Sequence, residues 1–132
     1  MSRRARADER GAAVVDFVLV LLVLLPLVLG ILQLALVLHV RNTLASAASE
    51  GARYAAVAGS SAPAGQQKVQ DLVDGALSEE FVRSVSVQPA KVGGAPGYVA
   101  VVEAEVRVLG IGGTGMLIRV TGHAVAEQAV AP

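Results

Sequence analysis

The sequence predicts an α+β protein with a long N-terminal transmembrane helix that continues into an external helix. A small head of one helix and about three antiparallel strands follows. Three observations predict this class. An apolar run of 22 residues covers positions 17–38. Apolar residues next recur every three or four positions, which is typical of amphipathic helices, and from position 84 onward they alternate with polar residues, which is typical of half-buried strands.

The apolar run Phe17–Leu38 contains Gln33 as its one polar side chain, and Pro26 and Gly30 as its helix-weakening residues. As a helix it would span about 33 Å, enough to cross a hydrocarbon core of about 30 Å. A chain this short has little to surround a helix that is apolar on every face. The run is therefore predicted to cross a lipid bilayer.

The charges that flank the run predict its orientation. Four arginines precede it, against Asp8 and Glu9 in the same N-terminal segment, whereas Arg41 is the one arginine or lysine between the run and Arg53. An excess of arginine and lysine marks the cytoplasmic side. We therefore expect a single-pass protein of the cell membrane with a cytoplasmic N-terminus and an extracytoplasmic C-terminal part.

A cleaved signal peptide is the alternative, because Ala45-Ser46-Ala47 resembles a signal-peptidase site after an apolar stretch. It predicts a soluble mature protein that starts near Ala48. Against it, the run is longer than the roughly 7–15 apolar residues of a signal peptide, and Arg41 separates the run from the site.

The segment after the membrane predicts a helix continuation over 41–58, capped by Asn42 or Thr43, and a second helix over Gln66–Arg83. The segment 59–65 is rich in Gly, Ser and Ala and predicts a loop. One face of the continuation is made of small and apolar residues suited to close packing. The members of that face are Leu44, Ala47, Ala48, Gly51, Ala55 and Ala58.

The last third of the chain predicts three strands with one apolar face, packed on the second helix. Val85 and Val87 belong to the first strand, Pro89–Gly97 is expected to be a loop, and the second and third strands follow. The inward positions of these two strands are Tyr98, Ala100, Val102, Ala104, Val106 and Val108, then Met116, Ile118, Val120, Ala124 and Ala126.

Nothing in the sequence indicates catalysis. The segment Gly110–Gly115 satisfies G-x-G-x-x-G, but a strand rather than a helix is predicted after it, so a hairpin loop is the better interpretation. His39 and His123 lack the spaced partners of a metal site or a triad. The net charge is zero and cysteine is absent. We expect no enzyme, cofactor, metal site or nucleic-acid contact.

Asp16 is the residue that the membrane interpretation alone leaves unexplained, because a carboxylate is costly inside a spanning helix and less so near its end. It can simply mark the helix start, where a carboxylate meets the positive end of the helix dipole. The local order favours more than that. Gly11 follows Arg10, four small or β-branched residues intervene, and Asp16 is followed by Phe17.

This arrangement resembles the class III signal of type IV pilin-like proteins, in which a prepilin peptidase cuts after a Gly and an acidic residue stands fifth in the mature chain. Here the cut would make Ala12 the first residue and Asp16 the fifth. The stretches RGAAVVDF, LLPLVLGILQ and NTLASAASEGARYAAV extend the resemblance to the TadE-like pseudopilins of tight-adherence, or Flp-type, pilus systems. That family usually carries Glu where this chain has Asp16.

The resemblance implies a minor pilin or pseudopilin of a Tad/Flp-type pilus, processed by a prepilin peptidase, and incorporated in or assembling a surface pilus. It implies residues 1–11 as a basic cytoplasmic leader that is cleaved, 12–40 as a pilin-like transmembrane helix, and 59–132 as the external domain. Its implied partners are the lipid bilayer, other pilins, the pilus assembly platform and the peptidase. An uncleaved single-pass anchor for an external binding domain is the alternative.

The membrane helix also carries a stripe suited to helix packing. At 100° per residue, Asp16, Pro26, Gly30 and Gln33 lie within an arc of about 100°. Small and polar residues on one side favour helix–helix contact in lipid. A kink at Pro26 would disturb this arc. We take Pro26, Gly30 and Gln33 as helix-packing candidates, and Gly11, Ala12, Asp16 and Phe17 as processing and assembly candidates.

Overall fold

The computed structural model describes residues 2–109 and 112–127, with side chains from residue 9 onward. Two helices come first, α1 (Ser2–Ala56) and α2 (Ala62–Ala76). A 3-10 turn (Glu79–Phe81) leads into three strands, β1 (Val82–Val92), β2 (Ala95–Arg107) and β3 (Gly115–Val125). This order confirms the predicted α+β class. The chain divides into two compact units, Met1–Ala35 and Leu36–Pro132.

The first unit consists of the N-terminal part of α1. The helix passes through Pro26 without a break, because neighbouring turns keep their own hydrogen bonds when one is lost. Large apolar side chains along this stretch are exposed, such as Phe17 at 64% and Leu22 at 69%. Among the described residues, α1 is the one helix long and apolar enough to cross a membrane, by length and composition. These properties suit a helix that lipid surrounds.

In the second unit, α1 continues to Ala56 as one face of the head. The helix has no separate start at Asn42 or Thr43, so the predicted cap there is wrong. Five of the six predicted inward residues are buried, Leu44 and Ala48 completely. Ala58 is exposed, because α1 ends at Ala56 before that turn is complete. The spacing of small residues therefore located the packed face correctly up to the helix end.

Helix α2 begins earlier and ends earlier than the predicted Gln66–Arg83. The hydroxyl of Ser61 caps it by accepting a hydrogen bond from the amide of Ala64 at 3.3 Å. Pro63 lies in the first turn, where its missing N–H costs nothing. The stretch expected to be a loop thus holds a helix start. Beyond Leu77 the chain turns, and Arg83 already lies in β1.

The strands form one antiparallel sheet in the order β1-β2-β3. The predicted loop Pro89–Gly97 is wrong, because both strands continue into it and Val92 pairs with Ala95. Pro89 is tolerated because β1 is an edge strand, where a missing N–H can face away from the ladder. Gly93 and Gly94 make the two-residue turn with φ of 59° and 86°.

The core of the second unit lies between the inner face of the sheet and the two helices. It is apolar throughout, and no buried polar or charged residue occurs in the described part of the chain. As predicted, Ala100, Val102, Ala104 and Val106 point inward, all with no exposed surface. Strands β2 and β3 end at Arg107 and Val125, so predicted inward residues Val108 and Ala126 lie just outside them. The remaining core is made of Val40, Leu44, Ala47, Ala48, Ala52, Ala55, Val69, Val73, Val87, Ile118 and Val120.

Candidate processing and assembly segment

All four processing and assembly candidates lie on α1 and are exposed. Gly11, Ala12, Asp16 and Phe17 follow one another within a helical stretch that makes no turn or loop. A Cβ added at Gly11 would meet no atom within 4 Å. The peptide bond after Gly11 is therefore not covered by another part of the described chain.

Ala12 and Asp16 are separated by four residues on a regular helix, and so lie on the same face about one turn apart. A carboxylate at position 16 would thus lie about 6 Å along the axis from a new α-amino group at residue 12. The side chains of Ala12 and Asp16 are both exposed. If the chain were cleaved after Gly11, its two opposite charges would thus lie within about one helical turn of each other.

The helix-packing candidates occupy the same helix further along. Pro26 and Gly30 are exposed, and a Cβ added at Gly30 would meet no atom within 4 Å. Gln33 is half-buried and interacts with another group of the chain. Because α1 is unbroken here, 100° per residue still places the three on one arc. Their contact with another helix stays a prediction.

The outer face of the sheet carries acidic residues, yet they are paired as a charged surface. Glu105 forms an ion pair with Arg83. Glu103 lies 3.6 Å from Nε of Arg119 and accepts a hydrogen bond from the hydroxyl of Ser84 at 3.2 Å. Each acid is thus placed opposite a base on a neighbouring strand, a pattern that stabilises sheets. No grouping of His, Asp and Glu suited to a metal ion occurs among the described residues.

The glycine-rich segment between β2 and β3 does not have the context of a dinucleotide site. Gly110 and Ile111 lie outside the described residues, and the amide of Val108 donates to the carbonyl of Thr114 at 3.1 Å. Strand β3 follows directly at Gly115, whereas the dinucleotide fingerprint requires a helix there.

Sequence reasoning missed two glycines, Gly65 and Gly122, that set how closely the elements of the head approach. A Cβ on Gly65 of α2 would lie 2.7 Å from both the Cβ of Ala55 and the carbonyl oxygen of Gly51 in α1. A Cβ on Gly122 of β3 would lie 2.5 Å from the carbonyl carbon of Ala48. A glycine inside a helix or strand pattern was the available signal. It does not say which element comes close.

One exposed apolar helix followed by a small α+β head defines a class of protein anchored in a membrane by a single N-terminal span. The comparisons make this more specific. The model of the TadE-like protein family matches residues 11–53, about a third of the chain. This match confirms the resemblance of this segment to TadE-like proteins and supports an association with the Tad pilus system. No curated protein and no solved structure gives a significant match.

Proposed function

We propose that this protein is a minor pilin or pseudopilin of a Tad/Flp-type pilus, which a prepilin peptidase cleaves after Gly11. The observation that carries the proposal is the family match over residues 11–53, which includes both the Gly and the acidic residue of the processing pattern. The unbroken apolar helix that follows Asp16 supports the same assignment.

The accessibility of the cleavage segment supports processing. Gly11 has no Cβ, and nothing packs against it within 4 Å of where a Cβ would be. A membrane peptidase can therefore approach the main chain at this point. Ala12 adds only a methyl group on the other side of the bond, and it is also exposed.

The carboxylate of Asp16 has a physical role in this proposal. Cleavage creates an α-amino group at Ala12 that is positively charged near neutral pH. When helices pack in lipid, an unpaired carboxylate is strongly unfavourable, whereas one paired with the α-amino group of a neighbour is far less so. Pairing between subunits would thus fix their axial register. The shorter reach of Asp, compared with the usual Glu of the family, makes the helices approach more closely.

Intact-mass analysis of the protein extracted from membranes tests cleavage. Cells that carry an active prepilin peptidase should yield a chain that begins at Ala12, and a peptidase-deficient strain should yield the full chain. Gly11→Leu should block cleavage because a large side chain would occupy the open space at the cut. A full-length chain in the peptidase-positive strain would refute processing.

The role of Asp16 is tested in the sheared filament fraction of cells that express the pilus system. Asp16→Asn should remove the protein from this fraction, whereas Asp16→Glu, which restores the usual family residue, should retain it. Glu9→Gln is the matched control. It neutralises a carboxylate on the leader side of Gly11, which cleavage removes, and should leave incorporation unchanged.

The alternative is an uncleaved single-pass anchor that presents the head as an external binding domain. It requires nothing of Asp16, because exposed charge near the end of a spanning helix has no partner to lose. Under this alternative Asp16→Asn would retain full function. Absence of both the wild type and Asp16→Asn from the filament fraction, together with an intact leader, would favour the anchor.

A further inference from the structure

Among the described residues, three large apolar side chains are exposed where β2 ends and β3 begins. Leu109 is 45% exposed, Met116 46% and Leu117 66%. Met116 pairs with Val106 and Leu117 with Glu105, so both lie at the hairpin end of the sheet, one on each face, and Leu109 follows β2 at the same end. Isolated exposed apolar residues are ordinary on a protein surface, whereas a group of them at one end calls for a partner.

This end of the head lies next to Leu36, the residue of α1 at which the second unit begins. Leu36, Phe81 and Leu109 line a common cavity of about 190 Å³. The cavity is also lined by the charged residues Glu80, Glu105 and Arg107. The hairpin therefore lies at the end of the head where the chain enters from the membrane helix.

The position of Leu36 in the apolar run indicates how close this end of the head lies to the bilayer. It belongs to the apolar run Phe17–Leu38, and the first polar residues beyond the run are His39 and Arg41. A span that ends at Leu38 places Leu36 about one turn or less inside the hydrocarbon boundary. Because Leu109 and Leu36 line the same cavity, Leu109 lies near that boundary as well.

We propose that Leu109, Met116 and Leu117 insert into the interfacial layer of the lipid bilayer, so that the head rests on the membrane by its β2–β3 end. This rests on the membrane anchoring that the proposed function requires, though not on cleavage or on pilus assembly. The occupant is lipid rather than a protein groove, because Leu109 at this end lines the same cavity as Leu36, a residue of the apolar run. Apolar side chains at this depth leave water for the region between headgroups and acyl chains.

The proposal distinguishes two ends of a single strand. Leu117 and Val125 both lie on β3, both on the outer face of the sheet, and both are exposed, at 66% and 53%. Eight residues separate them, or about 26 Å along the strand. Only Leu117 is at the end that adjoins Leu36. Val125 is therefore a matched control for chemistry, exposure and face.

Site-directed spin labelling tests the contact directly. The chain has no cysteine, so Leu117→Cys, Val125→Cys and Leu24→Cys each carry one nitroxide on the full-length protein in phospholipid nanodiscs. Collision with oxygen, which concentrates in lipid, is compared with collision by a water-soluble nickel chelate. Leu24 lies in the apolar run and reports whether the helix itself is in the bilayer.

The expected result is a ratio of oxygen to nickel collisions several-fold higher at residue 117 than at residue 125, with residue 24 highest. Equal, water-like values at residues 117 and 125, with residue 24 in lipid, would overturn the proposal and leave the anchor intact. Lipid-like values at both strand positions would also overturn it, since the whole sheet face would then lie on the membrane. A water-like value at residue 24 would overturn the anchoring itself.

Discussion

The carbonyl oxygen of Gly51 in α1 lies only 2.7 Å from the point where a Cβ on Gly65 of α2 would be placed. The converse substitution is as crowded, because a Cβ on Gly51 would collide with the side chain of Val69. Two glycines thus let the helices touch backbone to backbone. The close approach buries Val69 completely between the helices and the sheet.

Gly65→Ala should therefore destabilise the head by about 1–3 kcal/mol, because the helices must separate to admit the methyl group. Gly75→Ala is the matched control in the same helix, where an added Cβ meets nothing within 4 Å. There alanine should stabilise by about 0.5–1 kcal/mol through lower entropy of the unfolded chain. Chemical denaturation of the full chain in detergent, followed by circular dichroism, measures both. Equal effects would show that the crossing is not tight.

Gly122→Ala should loosen the contact between β3 and α1. The new methyl group would lie 2.5 Å from the amide nitrogen of Ser49, against main chain that cannot move aside. A loss of about 2–3 kcal/mol is expected. Thr121→Ala, one residue earlier and exposed on the outer face, should change stability by less than about 0.5 kcal/mol. Thermal unfolding of both variants measures the difference, and a stable Gly122→Ala would contradict the packing.

The turn between β1 and β2 should depend on its first glycine. Gly93 has a φ of 59°, in the left-handed region, and a Cβ there meets no other atom. Backbone conformation alone thus sets the cost, about 1 kcal/mol for Gly93→Ala. Gly93→Asn should cost less, because Asn tolerates this conformation and suits two-residue hairpins. Denaturation midpoints should fall in the order Gly, Asn, Ala, and an inverted order would refute the turn assignment.

Gly30→Leu should weaken association between helices in the membrane if the stripe is a packing surface. A Cβ at this position meets nothing within the chain, so the head should keep its own stability. Val28→Leu is the control, because it places the same leucine side chain on the opposite side of the helix, about 160° away. In-membrane cross-linking of the processed protein should fall for Gly30→Leu and not for Val28→Leu. Equal cross-linking of the two variants would show that the side of the helix that carries Gly30 is not a packing surface.

Periodicity was enough to predict most of the head. Spacing of three and four placed Leu44, Ala48 and Ala55 on the buried face of α1, and spacing of two placed Val102 and Val106 inside the sheet. These signals work because a helix and a strand each repeat their inward direction at a fixed period. The element class therefore followed from local pattern alone.

Turns and boundaries were harder to predict, because they depend on what lies nearby. Pro89 and the glycines after it have loop composition, yet pairing with β2 keeps them in a strand. Ser61 and Pro63 carry a helix start signal inside a stretch that also looked like a loop. Competing local signals of this kind are decided by tertiary contacts.

Part of the candidate site could likewise be predicted from the sequence, and part of it could not. The order of Gly11, Ala12 and Asp16 is visible in the sequence, and the family match includes it. The partner of Asp16 is expected on another molecule, so neither the sequence nor one folded chain contains it. By contrast, the cavity shared by Leu36 and Leu109 brings together residues far apart in the chain. No periodicity could have located it.

The end of β3 is tied to the end of α1, since the amide of Glu127 donates to the carbonyl of Ala56 at 2.9 Å. From Leu36 to Ala56 the helix rises about 30 Å. Glu127, the last residue that the structure describes, therefore lies at the end of the head remote from Leu36. An epitope tag on the C-terminus should therefore test the orientation that the flanking charges predict, because antibodies reach it on intact cells if the head is extracytoplasmic.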